Sequence, residues 1–340
     1  MEKLCLPIGA LNQGDLDWLT KAGRLQEIAA QTALVQAGQT IHDIYWVISG
    51  MLTTVVACPD GLDQAVAQIQ AGEEIGILPF INANPPVTST IAIAPVQVLQ
   101  LSHQQLTLKL RQDAGFAARF YQTISVFLSN QLRGISSLLV RGRAVAEQPL
   151  RKALLVFAEL YDSDVEWMVN VGIPRQLPAR KLLIEEGKTL DAIYILLEGT
   201  LAVSVSAVVN GVQVSKEIAR LATGEILGEM SFVDAQAASA TVSTVESCLV
   251  LALPRAQLGT KLQQDDRFAA RFYRAIAVVL ANRLDDRLTR YGYGKRSYDK
   301  DQPLDAAMEY EDELDINTLE HVSLAGVRFD WLLRRVRGSY

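Results

Sequence analysis

The sequence predicts a mainly β protein with flanking helices, arranged as two tandem copies of one domain. The first observation is a repeated hexapeptide, FAARFY, which occurs at residues 116–121 and again at 268–273. The second is a longer match between the segment that begins at Ala22 and the segment that begins at Val171. The third is a run of short β-branched segments separated by glycine in each copy, which indicates strands rather than helices. We therefore expect both copies to fold in the same way.

Each copy has the same order of predicted elements. A short helix that contains Trp18 or Trp167 comes first, then the strands, then a long amphipathic helix. In the second copy, the apolar residues of this helix recur at helical spacing: Phe268, Phe272, Ile276, Val279, Leu280, Leu284 and Leu288. Such a stripe is typical of a core or of a dimer seam. Because it carries more apolar surface than one domain covers, we expect a homo-oligomer.

The second copy is three residues longer, and turn chemistry indicates where. Two alternating segments flank Asn210-Gly211, a pair that tolerates positive φ and predicts a tight hairpin. The first copy has a shorter version around Pro59, Asp60 and Gly61. We expect the extra residues at this hairpin tip, where they leave the core unchanged.

These patterns also set the domain boundaries. We expect a first domain over residues 1–133, a helical connector over 134–163 and a second domain over 164–290. Residues 291–340 form a tail that is acidic at first and ends in a basic amphipathic helix. The tail is too short for a third ordinary domain.

Composition and motifs exclude several classes of function. The net charge of −6 and the pI near 5.3 disfavour direct nucleic acid binding, and the tail lacks room for a basic winged helix. His42, His103 and His321 lie far apart, and no hydrolase, metalloprotease or P-loop motif occurs, so we expect no enzyme. The three cysteines favour neither disulfides nor a zinc site. We expect no signal peptide and no membrane span, and a cytoplasmic location.

Two segments resemble a known family. GQTIHDIYWVISG at 38–50 and GKTLDAIYILLEG at 187–199 share a glycine spacing around an apolar–aromatic pair. In the second copy, GEMS follows at 228–231 and SATV at 239–242. This combination resembles the cyclic nucleotide-binding domain. The resemblance covers both copies and implies two tandem eight-stranded, jelly-roll-like β-rolls with amphipathic C-terminal helices.

The resemblance also implies a ligand site in the second copy. It places the loop that holds the cyclic phosphate at residues 228–241, here called the second cassette, where backbone amides face the anion. Glu229 would accept a hydrogen bond from the ribose 2′-hydroxyl, but Ala238 stands where the family has its phosphate-binding arginine. Losing a charged hydrogen bond of about 1.5–3 kcal/mol predicts weak binding. The expected ligand residues are Gly228, Glu229, Met230, Ser231, Ala238, Ser239 and Thr241.

Two interpretations of the second cassette stay open. In one, it binds cAMP, cGMP or a cyclic dinucleotide, with Ser239 and Thr241 as hydroxyl donors and a cation from another segment or subunit. In the other, Glu229 only caps or salt-bridges a loop filled by Phe232 and Val233, and no ligand binds.

The first copy departs further from the family. Its equivalent loop, residues 76–89, is here called the first cassette. Ile77 replaces the glutamate and Pro86 occupies the arginine position. With neither anchor present, we expect this loop to be structural.

Two functions fit these patterns. One is a non-enzymatic regulatory protein that senses a cyclic nucleotide through the second domain and transmits the signal to a protein partner by moving the helix over 266–290. The other is a ligand-independent scaffold or adaptor that docks a partner through its C-terminal helix. The expected docking residues are Leu324, Val327, Trp331 and Leu332 on one helical face, with Arg328 and Arg335 nearby. The alternative is that this helix packs back on its own domain.

Overall fold

The structure is a computed structural model that describes residues 9–57, 63–139, 154–209, 212–292 and 316–338. Four predicted features lie wholly or partly outside the described residues: the hairpin tips at 59–61 and 210–211, the middle of the connector at 140–153 and the acidic part of the tail at 293–315.

Within the described residues, the first copy consists of a short helix, eight strands with a helix inserted before the seventh, and two final helices. The helices are α1 (Gln13–Ala22), α2 (Ile77–Asn82), α3 (His103–Gln112) and α4 (Ala114–Leu139). The strands are β1 (Arg24–Ile28), β2 (Ala33–Val35), β3 (Asp43–Ser49), β4 (Met51–Ala57), β5 (Asp63–Gln70), β6 (Glu74–Ile75), β7 (Ser89–Ala92) and β8 (Val96–Ser102).

The described part of the second copy repeats this order after a short connecting helix, α5 (Leu155–Glu159). Its helices are α6 (Asp162–Val171), α7 (Glu229–Val233), α8 (Arg255–Gln264) and α9 (Asp266–Gly292), and the tail contributes α10 (Ile316–Arg337). The strands are β9 (Ile173–Leu177), β10 (Leu182–Ile184), β11 (Ala192–Glu198), β12 (Leu201–Val209), β13 (Val212–Leu221), β14 (Ile226–Leu227), β15 (Thr241–Thr244) and β16 (Cys248–Pro254).

The strands of each copy form two antiparallel four-stranded sheets. The orders are β1-β8-β3-β6 and β2-β7-β4-β5 in the first copy, and β9-β16-β11-β14 and β10-β15-β12-β13 in the second. The chain crosses repeatedly between the two sheets of a copy, so their inner faces enclose one core, as in a jelly roll. The predicted fold, two tandem β-rolls with flanking helices, is confirmed.

The duplication extends to side-chain contacts. Arg119 on α4 donates from Nε and Nη2 to the two carboxylate oxygens of Asp15, at 2.6 and 2.8 Å. Arg271 on α9 makes the same pair with Asp164, at the same distances. Each aspartate also accepts the backbone N–H of the residue before its own short helix. This geometry fixes the first helix of each copy to its long helix.

The two long helices, α4 and α9, pack along each other. All seven residues of the predicted apolar stripe on α9 are buried. Ser125 on α4 donates its hydroxyl to the carbonyl oxygen of Tyr273 on α9 at 3.2 Å. The apolar surface that motivated the expected homo-oligomer is therefore covered within one chain. This surface no longer supports the expectation of self-association.

The terminal helix α10 packs on α5 and α6. Its inward side chains are Ala325, Phe329, Leu332 and Val336, all buried. The Phe329 ring meets that of Phe157 with centroids 5.3 Å apart. The helix therefore packs back on its own chain, which is one of the two alternatives that the sequence left open.

Candidate functional site

The second cassette begins where β14 ends. Gly228 has a φ of 79°, in the left-handed region, and a Cβ there would lie 3.0 Å from Cδ1 of Leu190. Helix α7 starts at the next residue, Glu229. Glycine adopts this conformation without strain, so the glycine of the GEMS motif is explained by the turn that starts α7.

Glu229 is buried and forms an ion pair with Arg283 of α9. Arg283 also donates from Nη2 to the carbonyl oxygen of Ile226 at 2.8 Å and lies 3.8 Å from the carboxylate of Glu225. Burial raises the pKa of Glu225, and the charge of Arg283 opposes that rise. A cation therefore reaches the second cassette from the long helix, but the protein's own carboxylates already engage it.

Arg255, at the start of α8, holds the middle of α7. It donates to the carbonyl oxygens of Ser231 at 2.9 Å and Phe232 at 3.3 Å. Its guanidinium also lies 5.2 Å from the centre of the Phe232 ring, within the range of a cation–π contact. Ser231 is buried, and the sulfur of Met230 lies 3.9 Å from the hydroxyl of Ser239.

Ala238, which the resemblance aligns with the family's phosphate-binding arginine, has a buried side chain. The carbonyl oxygen of Ala238 accepts the N–H of Gly187 at 2.9 Å, and its own N–H donates to the carbonyl oxygen of Lys188 at 2.8 Å. The hydroxyl of Thr241 accepts the N–H of Glu186 at 3.1 Å. The Ala238 amide and the Thr241 hydroxyl are thus already hydrogen-bonded within the roll.

The second cassette also contacts the first copy. Asp234, which ends α7, accepts hydrogen bonds from Nε of Arg133 and from the hydroxyl of Ser129, each at 2.7 Å. Reciprocally, Asn82 at the end of α2 donates to Asp285 of α9 at 3.0 Å. Each cassette therefore lies against the long helix of the other copy. No pattern in the sequence indicated these contacts.

A cavity of about 410 Å³ in the second roll lies next to the second cassette, since its lining residues Lys188 and Leu190 contact Ala238 and Gly228. Arg175, Lys188 and Tyr194 are among the residues that line it. None of the predicted ligand residues does so. The structure thus brings the predicted ligand residues together around α7, next to this cavity but not in its lining.

The first cassette closes over a cavity of about 360 Å³. Its walls come from the cassette, from β5 and from both long helices. Glu74 lines this cavity with a side chain that is buried, and neither of its carboxyl oxygens has a hydrogen-bond partner among the described residues. The loop expected to be structural therefore encloses a space of ligand size.

The predicted apolar docking residues lie on different sides of α10. Leu324, Val327 and Trp331 are 43%, 64% and 44% exposed. Leu332, by contrast, is fully buried. Three of the four predicted apolar side chains are thus available to a partner.

The basic side chains of α10 contact the chain's own polar groups. Arg328 donates to the carboxylate of Asp162 at 2.8 Å and to the carbonyl oxygen of Phe157 at 3.0 Å. Arg337 donates to Glu198 at 2.6 Å. Arg335 lies exposed on the outer side. These contacts tie α10 to the second roll.

The described residues offer neither a metal site nor a helix that could span a membrane. The described residues contain no group of three or more metal-ligating side chains that could hold an ion. Over the same ranges, no helix is both long and apolar enough to cross a bilayer.

Several solved structures are similar to this chain. Similar solved structures include the regulatory domain of Toxoplasma gondii PKA with cAMP (18% identity, 74% of this chain and 85% of that chain, TM-score 0.29). Another is the regulatory subunit of a cAMP-independent protein kinase A from Trypanosoma brucei (18% identity, 78% of this chain and 89% of that chain, TM-score 0.28). A third is the N-terminal domain of a transcriptional regulator from Streptomyces coelicolor A3(2) (22% identity, 39% of this chain and 87% of that chain, TM-score 0.32).

Because these identities and TM-scores are low, the family assignment rests on sequence alone. No curated protein matches the chain. The sequence model of the cyclic nucleotide-binding domain matches residues 25–113 and 174–265, one segment in each roll and more than half of the chain together. The chain therefore belongs to the cyclic nucleotide-binding domain family, with one such domain in each of its two copies.

Proposed function

We propose that this chain is a non-enzymatic, cytoplasmic regulatory protein, whose second roll senses a cyclic nucleotide weakly or with altered specificity and passes the signal to a protein partner. The observation that carries the proposal is the ion pair between Glu229 of the second cassette and Arg283 of α9. The carboxylate that would bind the ribose hydroxyl is held by the long helix. A ligand that engages Glu229 therefore also acts on α9, which couples binding to the position of that helix.

The same ion pair supports a low affinity. The side chains of Glu229 and Arg283 are 3% and 27% exposed, and leaving a buried carboxylate without its partner costs about 3–5 kcal/mol. A ligand that shares Glu229 with Arg283 avoids this cost, whereas one that displaces Arg283 does not. With Ala238 in the cassette, a cyclic phosphate gains no charge-assisted hydrogen bond at that position.

Contacts to the first copy give the signal a second route. Asp234 lies at the end of α7 and is held by Arg133 and Ser129 of α4. The Asp234 side chain is only 1% exposed, so a shift of α7 changes a buried ion pair rather than a solvated one. Both long helices would then respond to a ligand in the second cassette.

The partner contact that we propose is the exposed side of α10. Leu324 and Val327 lie there beside Trp331, and three apolar side chains at this spacing suit a groove on a protein partner. Replacing Leu324 and Val327 by serine should abolish binding of a purified partner and leave the melting temperature unchanged, because both side chains are exposed. Retained binding would contradict this assignment.

Calorimetric titration with cAMP, cGMP and cyclic di-GMP tests the sensor. Saturable binding that Glu229→Ala removes is the expected result. Glu217→Ala is the matched control, because Glu217 is a partly exposed carboxylate of the same roll whose ion pair with Arg220 lies outside the second cassette. Binding that both variants retain would place the ligand elsewhere.

One observation favours a second function, the ligand-independent scaffold. The Ala238 amide and the Thr241 hydroxyl are already hydrogen-bonded within the roll. A cassette satisfied in this way holds its shape without a ligand. No heat with any of the three nucleotides at millimolar concentration, together with retained binding of a partner, would favour the scaffold over the sensor.

A further inference from the structure

We infer that the cavity of the first roll is a separate small-molecule site, whose ligand is an uncharged nitrogen heterocycle of nucleoside size that donates N–H groups to Glu74 and carries no phosphate. This site does not depend on ligand binding by the second roll. It lies in the copy that lacks both of the family's polar anchors.

The cavity has the size and enclosure of a small-molecule site. Its volume of about 360 Å³ lies within the range of about 300–1,000 Å³ that is usual for such sites. The first cassette forms one wall. Phe127 and Gln131 of α4 and Leu288 of α9 close it from the helical side, so residues of both copies surround the space.

Glu74 is the polar group that the cavity presents without a partner. It is 3% exposed, and both carboxyl oxygens lack a hydrogen-bond partner among the described residues. The fold does not need a carboxyl group here. In the second roll, Ile226 occupies the equivalent position, since Trp46 pairs with Glu74 in the first copy as Ile195 pairs with Ile226 in the second. An apolar residue therefore fits this strand, and the glutamate adds a function rather than a fold contact.

The internal repeat also shows what Glu74 lacks. In the second roll, Arg283 compensates the carboxylates of Glu225 and Glu229 near the cassette. The equivalent residue on α4, at the same distance from its FAARFY segment, is Gln131. The first copy thus has a buried carboxyl group at position 74, where the second has Ile226, and a neutral amide at the position of Arg283. A buried polar group in this situation gains most from a partner that supplies a donor.

The charges around the cavity exclude an anion as the preferred ligand. No lysine, arginine or histidine is among the described residues that line it. The ionisable residues that do so are Glu73, Glu74 and Asp285, all acids. A cyclic phosphate would meet the acids Glu73 and Asp285 but no cation among the described residues that line the cavity, whereas an uncharged ligand avoids that repulsion.

The carboxyl group can recognise the edge of a heterocycle in either protonation state. Burial raises the pKa of Glu74 to about 8, so near neutral pH the group is mostly an acid that offers one donor and one acceptor. That pattern complements a ring nitrogen beside an amino group, as in adenosine. As a carboxylate it accepts two N–H groups, as guanosine offers. N–H donation to Glu74 is common to both.

The test is calorimetry of the full chain with adenosine, guanosine, cAMP and cGMP near pH 7. We expect one of the nucleosides to bind saturably and at least about tenfold more tightly than its own cyclic nucleotide. Glu74→Ile, which copies the residue of the second roll, should weaken that binding by about tenfold or more. Glu217→Ala, at a partly exposed carboxylate of the second roll outside both cassettes, should leave it unchanged. Silence with both nucleosides up to millimolar concentration, tighter binding of the cyclic nucleotides, or full binding by Glu74→Ile would overturn the proposal.

A second measurement does not depend on the folding of a variant. Hydrogen exchange of the unmodified chain with the bound nucleoside should show protection in residues 74–88 around the first cassette. Protection confined to 228–241 would place the ligand in the second roll and overturn the proposal. Because the two readouts fall in different copies, failure here and failure of the second-roll sensor are distinguishable.

Discussion

Arg133 and Asp234 form an ion pair between the two copies, with Nε and Oδ2 2.7 Å apart and side chains 18% and 1% exposed. A second hydrogen bond joins Nη2 to Oδ1 at 3.2 Å, so the guanidinium meets the carboxylate at two points. Ser129 adds a third hydrogen bond, at 2.7 Å. This contact ties the second cassette to α4, and it makes the stability of each copy depend on the other.

Arg133→Met should therefore destabilise the chain by about 3–5 kcal/mol, because Asp234 would stay buried without its charged partner and keep only uncharged hydrogen-bond donors. Urea unfolding measures this loss. The double variant Arg133→Met/Asp234→Asn should recover much of it, since the buried charge is gone. As a control, Arg220→Met removes an ion pair with Glu217 that is about half exposed, and it should change the free energy of unfolding by less than about 1 kcal/mol. Equal losses from both single variants would argue against a special role for the buried pair.

The fold could be predicted from the sequence because its determinants are local and occur twice. Gly38 and Gly187 have positive φ in the structure, as do Gly50 and Gly199. These glycines mark turns between strands in both copies. A repeated spacing of turn residues between β-branched segments therefore carried the prediction of two equivalent rolls.

The way in which the copies meet could not be predicted in this way. Arg133 and Asp234 are 101 positions apart, and aligning one copy on the other cannot reveal contacts between copies. Arg283 and Glu229 are 54 positions apart, and nothing in the sequence placed the two side chains beside each other. The burial of Glu74 could not be predicted for a different reason. Two adjacent glutamates in AGEEIG are typical of a solvated turn, whereas the two-residue strand β6 directs one of them inward.

The glycines that start the two cassettes should differ in their tolerance of a side chain. Both have left-handed φ, 90° at Gly76 and 79° at Gly228, so alanine costs about 1–2 kcal/mol at either position. At Gly76 the new Cβ would also lie 2.8 Å from the backbone oxygen of Asp43. A backbone atom can move away only at a high energetic cost. At Gly228 the nearest atom is the side-chain Cδ1 of Leu190, at 3.0 Å. Thermal unfolding should show a larger loss for Gly76→Ala, and the reverse order would contradict this assignment.

Asp15 should stabilise the fold in a pH-dependent way. Burial raises the pKa of Asp15, but hydrogen bonds from Arg119 and from the backbone of Asn12 outweigh it and hold the folded pKa below 3.8. A depressed pKa contributes stability above the unfolded value, and this contribution is lost as the pH falls through the folded value. Asp15→Asn should cost about 1–3 kcal/mol near pH 7, and the cost should shrink in urea unfolding at about pH 3. Asp17→Asn, at an exposed site on the same helix, should show no such trend.

Glu74→Ile should stabilise the unliganded first roll, and the gain should grow with pH. Burial raises the pKa of Glu74 from 4.5 to about 8, and Glu73 adds a smaller increase. Between these values the unfolded chain releases the proton that the folded chain retains. The wild-type fold therefore loses about 1.4 kcal/mol of stability per pH unit from this group, and the loss levels off above the folded pKa. The variant has no ionisable group at this position and does not lose this stability. The difference in the free energy of unfolding between the variant and the wild type should therefore be smallest near pH 5 and largest above pH 8. Glu73→Gln, which alters an acid that accepts the N–H of Gln70, is the control and should not reproduce the trend. An advantage that does not change with pH would mean that Glu74 already has a partner in the folded chain.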